Sequence, residues 1–275
     1  MRHGFWAYRK YFKGAIMNSM RQLFLSILCC LCFLQSFSLP AYSATEEKDQ
    51  WIFHLTPYSW LAGQRGTVAT LPELPPADID IDFYDDVLDN LNGALMLVGE
   101  VRQGRVGVVL DISYIDIESE EPLSSSYFSQ VSSTTKTWMV STAAFYRLFE
   151  ADKEFLDLLA GIRYWSVESG LTLTGGTHGP KCFSNREEWV DPILGLKGLT
   201  VLGDSNFFLI GNFLIGGFGV ESDFMWDATL NLGYAWTETF STTIGYRYLD
   251  VDYQKDDFLY DVSQSGPIIG FSWRF

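Results

Sequence analysis

The sequence predicts an all-β fold, a transmembrane antiparallel up-and-down β-barrel of about ten strands. Three observations carry that prediction. From Trp51 onward apolar and polar residues alternate with a period of two. The alternating runs are about 10 to 17 residues long, more than the usual globular strand and enough to cross a bilayer at a tilt. The connections between runs alternate short and long, as in a barrel whose two rims face different compartments. Composition agrees: hydrophobic residues make up 47% and charged residues 19%, yet no stretch beyond the N-terminal region is a continuous apolar run long enough for a membrane helix.

The N-terminal region reads separately. Arg21 is followed by the apolar run Leu23 to Leu34 and then by small residues around Ala41 to Ala44. A positive start, a short apolar stretch and small residues describe a secretory signal, residues 1–44, cleaved after Ser43 or Ala44. Residues 1–16 form a long basic start, and Met17 or Met20 is an alternative initiator. The alternative for the whole segment is an uncleaved anchor. Cys29 and Cys32 have CxxC spacing but sit inside the apolar run, so neither metal nor redox chemistry is expected of them. After cleavage Cys182 stands alone, which leaves no internal disulfide framework. Residues 45–275 then carry 14 basic and 34 acidic residues, a net of −20. Nucleic acid is excluded as a partner, because it needs basic surface.

The predicted strands run, in order, over 51–62, 93–103, 105–118, 135–148, 155–168, 189–201, 206–219, 225–237, 239–253 and 259–275. The first opens "WIFHLTPYSWLA" and places His54 on its polar face. In 105–118 Val106, Val108, Leu110, Ile112 and Tyr114 share a face opposite Asp111 and Ser113. In 135–148 Trp138, Val140, Ala144 and Tyr146 oppose Ser141 and Arg147; in 155–168 Leu156, Leu158, Ile162 and Tyr164 oppose Asp157 and Arg163. In 225–237 Trp226, Leu230, Leu232 and Trp236 oppose Asp227 and Asn231, and in 239–253 Phe240, Ile244, Tyr246 and Tyr248 oppose Arg247. Short turns fall at 103–105, 150–154, 203–205 and 237–239. Long loops are predicted at 63–92, 119–134 and 169–188, with shorter ones at 220–224 and 254–258. An even strand number puts both termini on the short-turn side, which is the periplasmic side of such a barrel.

The polar face collects Glu100, Arg102, Asp111, Arg147, Asp157, Arg163, Asp191, Lys197, Asp227, Arg247 and Arg274, which are assigned to the lumen. Both signs are present, so they can pair. The apolar face is assigned to lipid because aromatics cluster at its two ends. Tyr146, Trp236, Phe240, Trp273 and Phe275 form one girdle; Tyr114, Trp138, Tyr164, Trp226 and Tyr248 form the other. The opposite assignment gives a soluble, lipocalin-like periplasmic carrier with an apolar interior.

At this point the chain resembles bacterial outer-membrane β-barrel proteins. Its last residues, "GPIIGFSWRF", resemble the signal read by the barrel-assembly machinery, with Phe271, Trp273 and Phe275 at alternate positions. The blocks "LTPYSWLAGQRG", "WVDPILG", "GGFGVESDFMWD" and "GYRYLDVDY" look like those shared by a group of outer-membrane proteins with no assigned catalytic residues. The resemblance implies export, assembly-machinery insertion, and outer-membrane lipid and lipopolysaccharide as surroundings.

No nucleophile elbow, Walker loop or dinucleotide fingerprint is present, and no cofactor is expected. "GGFG" at 216–219 reads as relief of crowding at a strand end. "DIDIDFYDDVLDN" places Asp78, Asp80 and Asp82 on one face, with Asp85 and Asp86 after them; this run is either a weak divalent-cation loop or a solvated, mouth-capping one with a turn of helix. His178, in the loop "GGTHGPKCFSNREE", is the one residue on which a rim hydrolase could be built. The expected role is structural, a narrow channel, or small-solute or surface binding, without enzymatic activity. A wide pore is not expected, because a barrel this narrow is filled by its own side chains.

Overall fold

The computed structural model describes residues 50–71, 74–87, 89–122, 127–175 and 179–275, without the side chains of 84, 85 and 121. The expected signal segment lies outside the described residues. The chain forms β1 (Trp51–Trp60), β2 (Gly63–Ala69), β3 (Ala77–Ile81), β4 (Leu91–Gln103), β5 (Val106–Pro122), β6 (Gln130–Ala151), β7 (Glu154–Thr174), β8 (Lys181–Val201), β9 (Phe207–Gly216), β10 (Phe224–Ala235), β11 (Phe240–Lys255) and β12 (Phe258–Arg274). Ten of these close a ring in the order β1, β4 to β12, with β12 returning to β1 and every pair antiparallel. At the closure Phe275 N–H donates to Phe53 O at 2.9 Å and Phe53 N–H to Phe275 O at 3.1 Å.

The two remaining strands continue the first hairpin. β1 and β2 lie on β12 in one uninterrupted register, from His54 opposite Arg274 to Ala69 opposite Leu259. On the other side β1 pairs with β4 and β2 with β3. Partner numbers total 154 along β1–β4 but 145 along β2–β3, so nine residues leave the ladder, the span from Asp82 to Asn90. That excursion holds one π-helical turn, Phe83–Val87, which buries Phe83 and Val87.

The predicted long loops are therefore corrected. Much of 63–92, 119–134 and 169–188 is strand, and β6 reaches 22 residues where 14 are predicted. The extra residues, such as "QVSST" in β6, lack the large apolar side chains that mark a period of two. They are drawn into the sheet by the ladder they extend, which runs unbroken from Gln130 opposite Thr174 to Arg147 opposite Asp157. The loop expected at 254–258 is a two-residue turn, Asp256–Asp257, and that at 220–224 spans 217–223.

Outside, the two girdles pack as cross-strand pairs. Tyr114 meets Trp138 at 4.4 Å and Trp226 meets Tyr248 at 4.6 Å; at the short-turn rim Phe240 meets Trp273 at 5.0 Å. Between them Leu110, Leu158, Ile162, Leu230 and Ile244 point out and are exposed. Trp226 and Trp236 are ten residues apart on one strand and its turn. That separation is about 34 Å of strand, or roughly 26 Å along the barrel axis at a 40° tilt, the height of a hydrocarbon band. An apolar exterior with a polar interior excludes the soluble-carrier alternative for this part of the barrel.

Candidate functional site

The lumen is divided into layers, each set by which strands bring charge inward. The central layer is built on Asp227 of β10, which is fully buried. Arg247 of β11 donates to it from Nε at 3.0 Å and from Nη2 at 2.7 Å, and Arg163 of β7 from Nη2 at 2.8 Å. Arg247 also donates to the Tyr58 hydroxyl at 3.2 Å; that hydroxyl donates to Asp111 at 2.8 Å. Arg163 Nε donates to Ser141 Oγ at 2.7 Å. Six strands thus meet in one network, and its two arginines face two carboxylates. Bidentate guanidinium–carboxylate geometry suits such a buried position, because it satisfies several donors at once.

Nearer the short-turn rim, Arg147 pairs with Asp157 through two bonds of 2.7 and 3.0 Å and reaches Glu150 at 2.7 Å, with its guanidinium 4.0 Å over the Phe155 ring. Arg102 approaches the same Glu150 at 3.3 Å. Lys197 of β8 pairs across the lumen with Glu100 of β4. Arg274 is exposed at the rim and lines the space below the central layer. Asp191 instead anchors a loop. It accepts from Ser222 N–H at 2.8 Å, Ser222 Oγ at 2.6 Å and Trp189 Nε1 at 3.1 Å, and so draws the β9–β10 loop into the barrel. Gly217 opens that loop at φ +80°, where a Cβ would come within 2.7 Å of Ser222 O.

Above the central layer the lumen is filled by rings. Trp189 of β8 stacks on Tyr253 of β11 at 4.0 Å and on Trp165 of β7 at 5.5 Å, with Tyr260 of β12 edge-on at 6.0 Å. β8 and β11 are separated in the ring by β9 and β10, so the Trp189–Tyr253 contact crosses the lumen. Trp165, Val167, Met225, Val251 and Tyr253 are all almost fully buried. The Tyr253 hydroxyl donates to Glu187 at 2.9 Å, and burial pushes that phenol well above its ordinary value, with Glu187 adding to the rise. Alternation alone does not mark this aromatic layer as a site. Its signal lies in parity: Trp165 and Val167 follow Arg163 on the same face of β7, and Trp189 shares the face of Asp191 on β8.

The acidic run does not converge on one point. Asp78 and Asp80 lie on β3 and accept from Thr67 at 2.8 Å and Arg65 at 2.6 Å. Asp86 accepts from the Asp82 amide at 2.7 Å, closing the turn, and the Asp85 side chain is not described. Among the described residues no three of His, Cys, Asp or Glu stand close enough to hold a metal. Phe271, Trp273 and Phe275 point outward at the rim. His54 lines the lumen, where its Nδ1 has no hydrogen-bond partner. His178 lies outside the described residues.

No known protein family matches the chain, and no curated protein sequence does. Solved structures do. The outer membrane protease OmpT from Escherichia coli aligns at a TM-score of 0.50 and 14% identity, over 86% of this chain and 99% of that one. The translocator domain of the autotransporter NalP from Neisseria meningitidis aligns at 0.46 and 10%, over 96% and 97%. Ail, the attachment invasion locus protein of Yersinia pestis, aligns at 0.35 and 12%, over 82% and 99%. At such identities the likeness is one of fold alone. The likeness to OmpT, together with the closed ring, the outward apolar band and the paired girdles, gives this chain the fold of the bacterial outer-membrane β-barrel proteins.

Proposed function

We propose that the protein is a closed barrel of the bacterial outer membrane, with a structural or surface role rather than that of an open pore. The single observation that carries this reading is the stacked closure of the lumen. The Asp227–Arg163–Arg247 cluster at the centre of the network and the Trp165–Trp189–Tyr253 layer lie one above the other, and these six residues are each at most 4% exposed. The short-turn rim faces the periplasm in this reading, and the long strands β5 to β8 raise a wall above the outer girdle. β6 has 22 residues, about twice what a tilted crossing needs. Such a wall supports a role in presenting surface to the outside.

Planar-bilayer recording of the refolded protein tests this. The expected record is a silent membrane at concentrations where an open barrel of known conductance gives steps. Regular unitary steps would overturn the closed-barrel reading.

A further inference from the structure

Below the closure the lumen is not filled. A cavity of about 550 Å³ begins at the short-turn rim, where Ala151 to Glu154 and Arg274 line it, and ends blind against Tyr58, Asp111, Arg163 and Arg247. Its size falls within the range of small-molecule sites. Three features bear on what would fill it. First, its lining is rich in cations: seven of the 14 basic residues after residue 44 line it, against five of 34 acidic ones, with Asp157 and Asp227 pairing with three of the seven from behind the lining. Second, two guanidiniums keep unspent capacity there. Arg163 has no solvent access, yet its Nη1 has no hydrogen-bond partner. Arg274 at the mouth has no carboxylate partner among the described residues. A buried cationic donor without an acceptor is costly, and a ligand oxygen is what would relieve it. Third, part of the lining is apolar: Val109, Leu159, Ile193 and Leu214 share it with polar residues such as Ser141 and Asn212.

We propose that this cavity binds a small organic anion with an apolar body, entering from the periplasmic rim. Its carboxylate is held at the blind end, where Arg163, whose buried Nη1 lacks a partner, turns that donor toward it, and its body lies against Val109, Leu159, Ile193 and Leu214. Arg274 and Lys197 draw the anion in along the way. A purely inorganic anion would leave the apolar wall without a partner, and a neutral molecule would leave Arg163 without one. The proposal rests on the closed lumen proposed above, and the conductance recording tests that closure independently of any ligand.

The test uses the full refolded chain in lipid nanodiscs, with benzoate as the probe, titrated by calorimetry and by saturation-transfer NMR. Benzyl alcohol and inorganic phosphate serve as the neutral and the non-apolar comparison. Benzoate is expected to bind at least ten-fold more tightly than either. Arg163→Gln is expected to weaken benzoate at least ten-fold. Because Arg163 belongs to the central network, Ile210→Trp provides the second variant: it fills the cavity from the wall, leaves every charge in place, and is expected to abolish binding while heat-modifiable migration stays normal. Equal binding of benzyl alcohol and benzoate, benzoate binding unchanged in Ile210→Trp, or no benzoate binding to the wild-type protein would each overturn the proposal.

Discussion

One strand shows two opposite codes. The odd-numbered residues of β7 point inward from Phe155 to Ser169, but they include Asp157 and Arg163 below the outer girdle and Trp165 and Val167 above it. The even-numbered residues reverse in the same place, from Leu156, Leu158 and Ile162 to Glu168. β8 does likewise: Val190 and Leu196 face out within the band, while Arg186 and Glu188 pair at 2.6 Å on the outside above it. The backbone geometry and the ladder are continuous, so nothing in the strands themselves demands the change. What changes is the medium outside. Lipid accepts no hydrogen bonds, so within the band polar groups are confined to the lumen and must satisfy each other. Water above the girdle reverses this, and there an apolar interior is the stable one. The lower region is thus held by charge networks, the upper by a packed aromatic core.

That contrast can be broken at either end. The largest effect is expected from Asp227→Ala, which leaves Arg163 and Arg247 buried around an empty place. Removing one partner of a buried ionic group costs about 3–5 kcal/mol. Urea titration followed by heat-modifiable migration should show the whole ring destabilised. A midpoint within error of the wild type would mean that the network contributes little.

Trp189→Ala comes next, at about 3–4 kcal/mol for a large buried aromatic. Its effect should be local: limited proteolysis should cut the segments above the girdle while the membrane ring remains protected. Simultaneous loss of both regions would show that they fold as one unit.

A paired substitution addresses the outer faces directly. Leu158→Lys, within the apolar band, should cost about 2–4 kcal/mol, as charges on the lipid face do near the bilayer centre. Ser184→Lys, outward but above the girdle, should cost less than about 0.5 kcal/mol. Equal costs in vesicles would contradict the placement of the band.

The smallest effect concerns pH. Tyr253 is held protonated above its ordinary value by burial and by Glu187. A phenol whose value is raised on folding contributes stability below about pH 10, and that contribution fades as pH rises through the higher folded value. The aromatic layer should therefore loosen in alkali before the ring does. Tyr253→Phe should cost about 1 kcal/mol at neutral pH and flatten that alkaline dependence, read from near-ultraviolet circular dichroism. An unchanged alkaline profile would remove Tyr253 from this role.

The same contrast explains how far the fold is legible in the chain. Within the band the period of two is strong, because alternate residues meet lipid and a polar lumen; ten strands, both girdles and the inward placement of Asp227, Arg247 and Arg163 are readable there from the chain alone. Above the girdle polar and charged residues fall on both faces, and stretches such as 130–134 carry no pattern strong enough to announce a strand. Their strand state comes from neighbours in the ladder, which single-chain periodicity does not contain. The partners inside the lumen are a further step removed. Lys197 meets Glu100, Arg247 meets Tyr58, and Trp189 meets Tyr253, in each case from strands far apart in sequence. Alternation determined which side each residue faces. Only closure of the ring decided which of them face one another, because the curvature and stagger of the barrel set the distances across it.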